Sequence, residues 1–97
     1  MTNYEILWLI ASRIKEYRLA ARISQVEMAE RSGVGLATIA HLEQGKQINI
    51  TLNNLISILK VLGQEERIVK LLPRLPMPPM ALKKINKLVP KRIRQKK

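Results

Sequence analysis

The stretch Ser24 to Lys46, SQVEMAERSGVGLATIAHLEQGK, constrains this chain more than any other. Ser24 is followed three residues later by Glu27, the spacing of a capping box, in which the hydroxyl accepts from the Glu27 amide and the carboxylate reaches back to the Ser24 amide. A helix is therefore expected from Gln25. Gly33 supplies the left-handed residue that stops it. Val34 is expected to bury in the turn, a second helix to open near Gly35 or Leu36, and Gly45 to end it. Two short helices joined by a tight turn follow.

At about 100° per residue, the second of these helices divides cleanly. Ile39 and Leu42 fall on one side and face a core. Leu36, Ala37, His41 and Gln44 face outward. On the preceding helix Met28 and Ala29 face inward, and Ala29 is small enough for the two helices to cross closely.

Around this unit the chain reads as all-α. Asn3 to Ala21 has helical periodicity, with Ile6, Leu9, Ile10, Ile14 and Tyr17 on one face and Arg13, Lys15, Glu16 and Arg18 on the other. Leu7 and Trp8 fit neither stripe. They read as extra packing for a short domain or as a partner surface, since Trp is enriched among interface anchors. Thr51 is a plausible N-cap for a helix carrying Leu52, Leu55, Ile56, Leu59 and Leu62, which Gly63 ends. Gln64 to Leu72 reads as a fifth helix with Ile68, Leu71 and Leu72 apolar and Val69 beside them. The expected core is Ile10, Ile14, Met28, Ala29, Val34, Ile39, Leu42, Leu52, Leu55, Ile56 and Leu59. The chain has no Phe, so Leu and Ile must supply nearly all the buried area. At roughly 1.5–3 kcal/mol per buried large aliphatic side chain, that is enough for a small helical domain.

A change of regime occurs near Pro73. Residues 1–73 hold nine Lys/Arg and all seven acids, a net of +2, while residues 74–97 hold nine Lys/Arg and no acid, a net of +9. All five prolines lie from Pro73 onward and all four glycines before it. Residues 1–72 therefore read as one domain and 73–97 as a basic, Pro-rich tail. PRLPMPPM favours an extended linker. Beyond it Leu82, Ile85, Leu88 and Val89 recur at helical spacing, with Lys83, Lys84 and Lys87 on the other side. Three readings of the tail stand: a solubilising extension, DNA-phosphate contact through Lys83, Lys84, Lys87, Lys91, Arg92 and Arg94, or a segment that folds on a protein partner.

The motif resembles the helix-turn-helix of the Cro/CI-type (XRE-like) repressors. The matching residues are Gln25, Ala29, Gly33, Val34, Thr38-Ile39 and Leu42-Glu43-Gln44-Gly45, without gaps. The resemblance spans roughly residues 10 to 72 and implies a compact five-helix domain whose second motif helix enters the major groove. It implies base-edge contacts at Leu36, Ala37 and His41, and phosphate contacts at Gln25, Gln44 and Lys46, with Thr38 a further phosphate candidate. Gln25 begins a helix, where free amides favour an anion. His41 can donate to a base or a phosphate, whereas Leu36 and Ala37 offer only apolar contact, most naturally to a thymine methyl. Many relatives carry Arg, Gln or Ser at these places, so DNA shape is expected to share in the readout.

Such domains usually dimerise on a palindromic operator. A homodimer on double-stranded DNA is expected here, through the fifth helix or the Leu7/Trp8 edge. Size, layout and tail character also resemble HipB-type antitoxins, which bind a HipA-type kinase toxin and repress their own operon. The competing expectations are an autonomous phage-like repressor and a non-specific nucleic-acid adaptor working through its tail. Three aromatics, Tyr4, Trp8 and Tyr17, all in the first helix, offer little stacking surface for single strands.

Other classes find no support. With no Cys and one His, neither a thiolate metal site nor a His cluster exists. No Gly-rich phosphate loop, nucleophile or paired carboxylate suggests catalysis, and Glu43 is better explained as a structural residue of the motif. No enzyme activity, cofactor or metal is therefore expected. No stretch approaches the roughly 18 apolar residues of a membrane span, and the leading segment carries Glu5 rather than a basic run. A cytoplasmic, nucleoid-associated protein is the expectation.

Overall fold

The computed structural model describes residues 1–46 and 49–76. Among these described residues five helices follow one another: α1 (Asn3–Ala20), α2 (Gln25–Ser32), α3 (Leu36–Gln44), α4 (Leu52–Val61) and α5 (Glu65–Val69). No strand occurs among the described residues. The compact five-helix all-α domain expected of the motif is what the chain adopts. No described helix is long and apolar enough to cross a membrane.

Local chemistry accounts for most helix ends. Thr2 caps α1 in a complete capping box, accepting from the Glu5 amide at 3.1 Å while Glu5 accepts from the Thr2 amide at 2.8 Å. Ser24 caps α2 through the Glu27 amide at 3.0 Å. The reciprocal half of that expected box is not made. The Glu27 carboxylate instead faces Arg31 one turn on, at 3.4 Å, an exposed i,i+4 pair. Thr51 caps α4 through the Asn54 amide, as its position suggests. Gly33 ends α2 with φ 79° and donates to the Ala29 carbonyl. The end of α1 carries no sequence mark, because Arg22 takes the left-handed conformation there, with φ 60°. α5 is shorter than the expected 64–72. The Leu71 amide bonds back to Ile68, tightening the last turn, and Pro73 disfavours a helical residue before it.

α2 packs on α3 and α4, α1 on α3, and α5 on α4. The buried core is Ala11, Ile14, Ile23, Met28, Val34, Ile39, Leu42 and Ile58. Leu7, Ala29, Ile50, Leu55, Val61 and Leu62 pack around it. Seven expected core residues thus hold or border their places: Ile14, Met28, Val34, Ile39 and Leu42 within, Ala29 and Leu55 at its edge. Others do not. Ile10 is 40 % exposed and Leu52 61 % exposed, while Ile56 and Leu59 are half-buried.

The displacement has a geometric cause. The face that α1 turns to the core is Leu7, Ala11, Ile14 and Arg18, a stripe at spacings of four, three and four. It was hidden by its last member, a charged residue that belongs by composition to the polar side. Leu7 therefore serves as packing rather than as a partner surface. The more apolar face of α1, with Ile6 and Ile10, and the Leu52/Leu59 side of α4 instead line an open groove that α5 also lines.

Candidate nucleic-acid interface

The second motif helix is held from beneath by apolar contacts and from one side by a buried ion pair. Ile39 and Leu42 are almost fully buried, at 1 % and 2 % exposure, and fix which face of α3 points out. No side chain caps its N-terminus at Gly35. Its C-terminus is closed by Gly45 at φ 76°, with the Lys46 amide bonded to the His41 carbonyl at 3.0 Å. Trp8 lies against that turn. A Cβ built on Gly45 would stand 3.2 Å from the indole Nε1, so the glycine is required by close approach as well as by φ.

Arg18, expected on the polar face of α1, is 6 % exposed and reaches across to α3. Its Nε donates to Glu43 Oε2 at 2.7 Å and its Nη2 to Oε1 at 2.9 Å, a two-bond fork, while Nη1 donates to the Ile23 carbonyl at 2.6 Å. Gln25 Nε2, from the first residue of α2, donates to the same Glu43 Oε1 at 2.9 Å. Three helices meet at one carboxylate, and no buried side-chain polar atom of the described residues lacks a partner. The structural role expected for Glu43 is therefore this clamp. Burial alone would push the Glu43 carboxyl up. Hydrogen bonds from Arg18 and Gln25 and the nearby charges of Arg18 and Lys15 outweigh it and hold the carboxyl below its ordinary value. The bond to Glu43 likewise raises Arg18 against the opposing effect of burial.

The outward face agrees with the sequence division of the helix. Leu36, Ala37, Thr38, His41 and Gln44 are all exposed along α3, and Lys46 is exposed just beyond it. Ala40 is half-buried at the margin. Gln25 is also half-buried, with one of its two amide hydrogens committed to Glu43 and the other free by stoichiometry. Lys83, Lys84, Lys87, Lys91, Arg92 and Arg94 lie outside the described residues. The arrangement presents a short, nearly uncharged helix face, about two and a half turns long, on the outside of the domain. Its chemistry is one imidazole, one amide, one hydroxyl and apolar surface, with a single lysine at the end.

The sequence reading placed Arg18 on the polar face, and it singled out Trp8 as packing or partner surface without its contact at Gly45. Arg18 could have been found from the Leu7/Ala11/Ile14 spacing continued by one more step. Trp8 carries no such signal, because its neighbour Gly45 lies 37 residues away along the chain.

No curated protein matches the chain. The helix-turn-helix family profile matches residues 14–69, which is 56 of the 97 residues and contains α2, the turn and α3 entire. Domains of this family bind DNA sequence-specifically in transcription regulation and are typically without enzymatic activity. With its motif helices clamped to α1 and the outer face of α3 clear, this chain belongs to the Cro/CI-type helix-turn-helix family.

Proposed function

We propose that this protein is a transcriptional repressor that binds a palindromic operator as a homodimer and serves as the antitoxin of a HipA-type kinase toxin. The observation that carries the DNA part is the exposed Leu36/Ala37/His41 face of a helix fixed on its other side by Ile39, Leu42 and Glu43. In this reading α3 enters the major groove, with Leu36 and Ala37 against thymine methyls and His41 donating to a base edge. Gln44, Thr38 and Lys46 take phosphates. Gln25 takes one with its second amide hydrogen, which couples phosphate contact to the Glu43 clamp. One module of this size buries too little surface to bind both tightly and specifically, hence the dimer. Val69 at the end of α5, 68 % exposed, and Leu72 just beyond it, 84 % exposed, offer apolar surface for it.

The antitoxin assignment is supported by the +9 charge and five prolines gathered in the last 25 residues. A tail without acids suits a partner with an acidic or apolar recess. Co-purification with the product of the neighbouring gene tests it, and a partner retained only by the full chain is expected. Loss of no affinity on Lys/Arg→Gln changes in the tail would remove the argument for a tail-bound partner.

The DNA reading is tested on a duplex selected from a random pool. His41→Ala and Gln25→Ala are expected to remove preference for it, and neutralising the tail lysines to flatten the salt dependence. The same charged tail also favours a non-specific nucleic-acid adaptor. Unchanged preference in the two motif variants, with binding abolished in the tail variant, would establish that role instead.

A further inference from the structure

The open groove between α1, α4 and α5 has a volume of about 590 Å³ and an almost wholly apolar lining. Ile10, Leu55, Leu59, Ile68 and Leu71 stand in it, and the charged residues along it are Arg13 and Arg67. Its walls are the strongest apolar stripes of α1 and α4, so the groove is where most of the amphipathic character of those helices is directed. A patch of this kind marks an interaction surface.

We propose that the groove is the docking site of this chain's own segment Leu82–Val89, which lays Leu82, Ile85, Leu88 and Val89 against it. Connection, reach and pattern argue for this occupant. Leu71 lines the groove, and the chain leaves it there for 26 further residues. Leu82 lies ten residue steps beyond Leu72. At about 3.1 Å each, an extended linker spans up to ~31 Å. The groove wall from Ile6 to Tyr17 is eleven helical steps, or about 16 Å at 1.5 Å per step. The segment therefore reaches any point along it.

The pattern fits as well. Leu82, Ile85, Leu88 and Val89 recur at the spacing that a helix would bring to one face, with Lys83, Lys84 and Lys87 at the positions it would turn to the other. So short a helix lacks stability alone in water and needs an apolar surface to form on. Docked on its apolar side, it turns those lysines away from Arg13 and Arg67. α1 and α5, two of the helices that line the groove, also carry Glu5, Glu16, Glu65 and Glu66, four of the seven acids. A short linker sets an effective concentration near the millimolar range, which favours this occupant over a second copy at micromolar protein.

Absence of native cysteine makes the test direct. The full-length Ile10→Cys/Ile85→Cys variant is oxidised in dilute solution beside a Leu36→Cys/Ile85→Cys control, whose first cysteine lies on the outer face of α3. Ile10 is 40 % and Leu36 44 % exposed, so both sites tolerate the change. The expected result is an intramolecular disulfide forming at least about tenfold faster in the groove pair, at a rate independent of concentration. Equal rates in the two variants overturn the proposal. So does a predominantly intermolecular disulfide, or rapid dimer formation by Ile10→Cys alone, which would assign the groove to a second copy. A second variant avoids the groove altogether. Full-length Ile85→Glu/Leu88→Glu is expected to raise binding of a hydrophobic fluorophore several-fold while losing no more helicity than that of the Leu82–Val89 segment itself, and unchanged fluorescence would count against docking.

Discussion

Glu43→Gln isolates the clamp beneath α3. The carboxylate accepts three hydrogen bonds, at 2.7 and 2.9 Å from Arg18 and at 2.9 Å from Gln25. The side chains of Arg18 and Glu43 are 8 % and 2 % exposed, so water cannot replace what is lost. The amide has one acceptor oxygen, which can keep the bonds from Arg18 Nη2 and Gln25, but its NH₂ then faces Arg18 Nε. One charge-assisted bond is lost, roughly 1.5–3 kcal/mol, and the buried guanidinium is left without a counter-charge. Removing one member of a buried pair costs about 3–5 kcal/mol. Because the fork is half kept, a loss of about 3 kcal/mol is expected, or a fall in Tm of ~12–24 °C for a domain of this size. Urea unfolding followed by Trp8, the only tryptophan, measures it from the turn that closes α3. Arg18→Met/Glu43→Leu together should cost less than Glu43→Gln alone, since no unpaired charge remains. A loss below about 1 kcal/mol in Glu43→Gln would place the pair with exposed salt bridges and refute the clamp.

Acid titration follows from the same residue. The folded-state pKa of Glu43 is lowered, so its stabilisation is present above the unfolded value of about 4.3 and is lost as pH falls through the folded value; unfolding free energy of Glu43→Gln should fall less steeply over that acid range than that of the unsubstituted chain. Gly45→Ala combines a left-handed backbone, costing roughly 1–2 kcal/mol, with a 3.2 Å approach to Trp8. It should destabilise more than Gly33→Ala, whose Cβ meets nothing within 4 Å, and should shift the Trp8 emission; equal losses would mean that the indole gives way freely. Arg22→Gly relieves the φ of 60° and should stabilise by about 0.5 kcal/mol, the backbone gain less the flexibility glycine adds to the unfolded chain. A lower denaturation midpoint for that variant would show that the arginine side chain makes a contact worth more than the strain.

How far the fold was legible depends on the element. α2, the turn and α3 were readable because their signals are local: a capping hydroxyl, two left-handed glycines and a two-sided helix. Each such signal acts within one or two turns, where sequence spacing and spatial spacing coincide. α1 and α4 were misread in orientation. An amphipathic stripe says that an apolar face exists, not which of two faces meets the core. In α1 the buried face ends in Arg18, whose charge is neutralised by a residue 25 positions away. In α4 Ile58 is fully buried while Leu52 and Leu59, on the stronger stripe, are turned toward the groove. Trp8 over Gly45 is likewise a contact between distant positions. The outer face of α3 was legible because Ile39 and Leu42 leave only one side free.

Ala37 offers the most direct test of the claim that this face reads DNA. It is exposed, so Ala37→Glu leaves the core and clamp intact, and circular dichroism checks that the fold persists. The measurement is the ratio of affinities for the selected operator and for a scrambled duplex of equal length at one salt concentration. A carboxylate placed against the acceptors and phosphates of the major groove is expected to reduce that ratio about 100-fold or more, while binding of both duplexes through the basic tail persists. An unchanged ratio in a folded Ala37→Glu protein would contradict insertion of α3 into the groove.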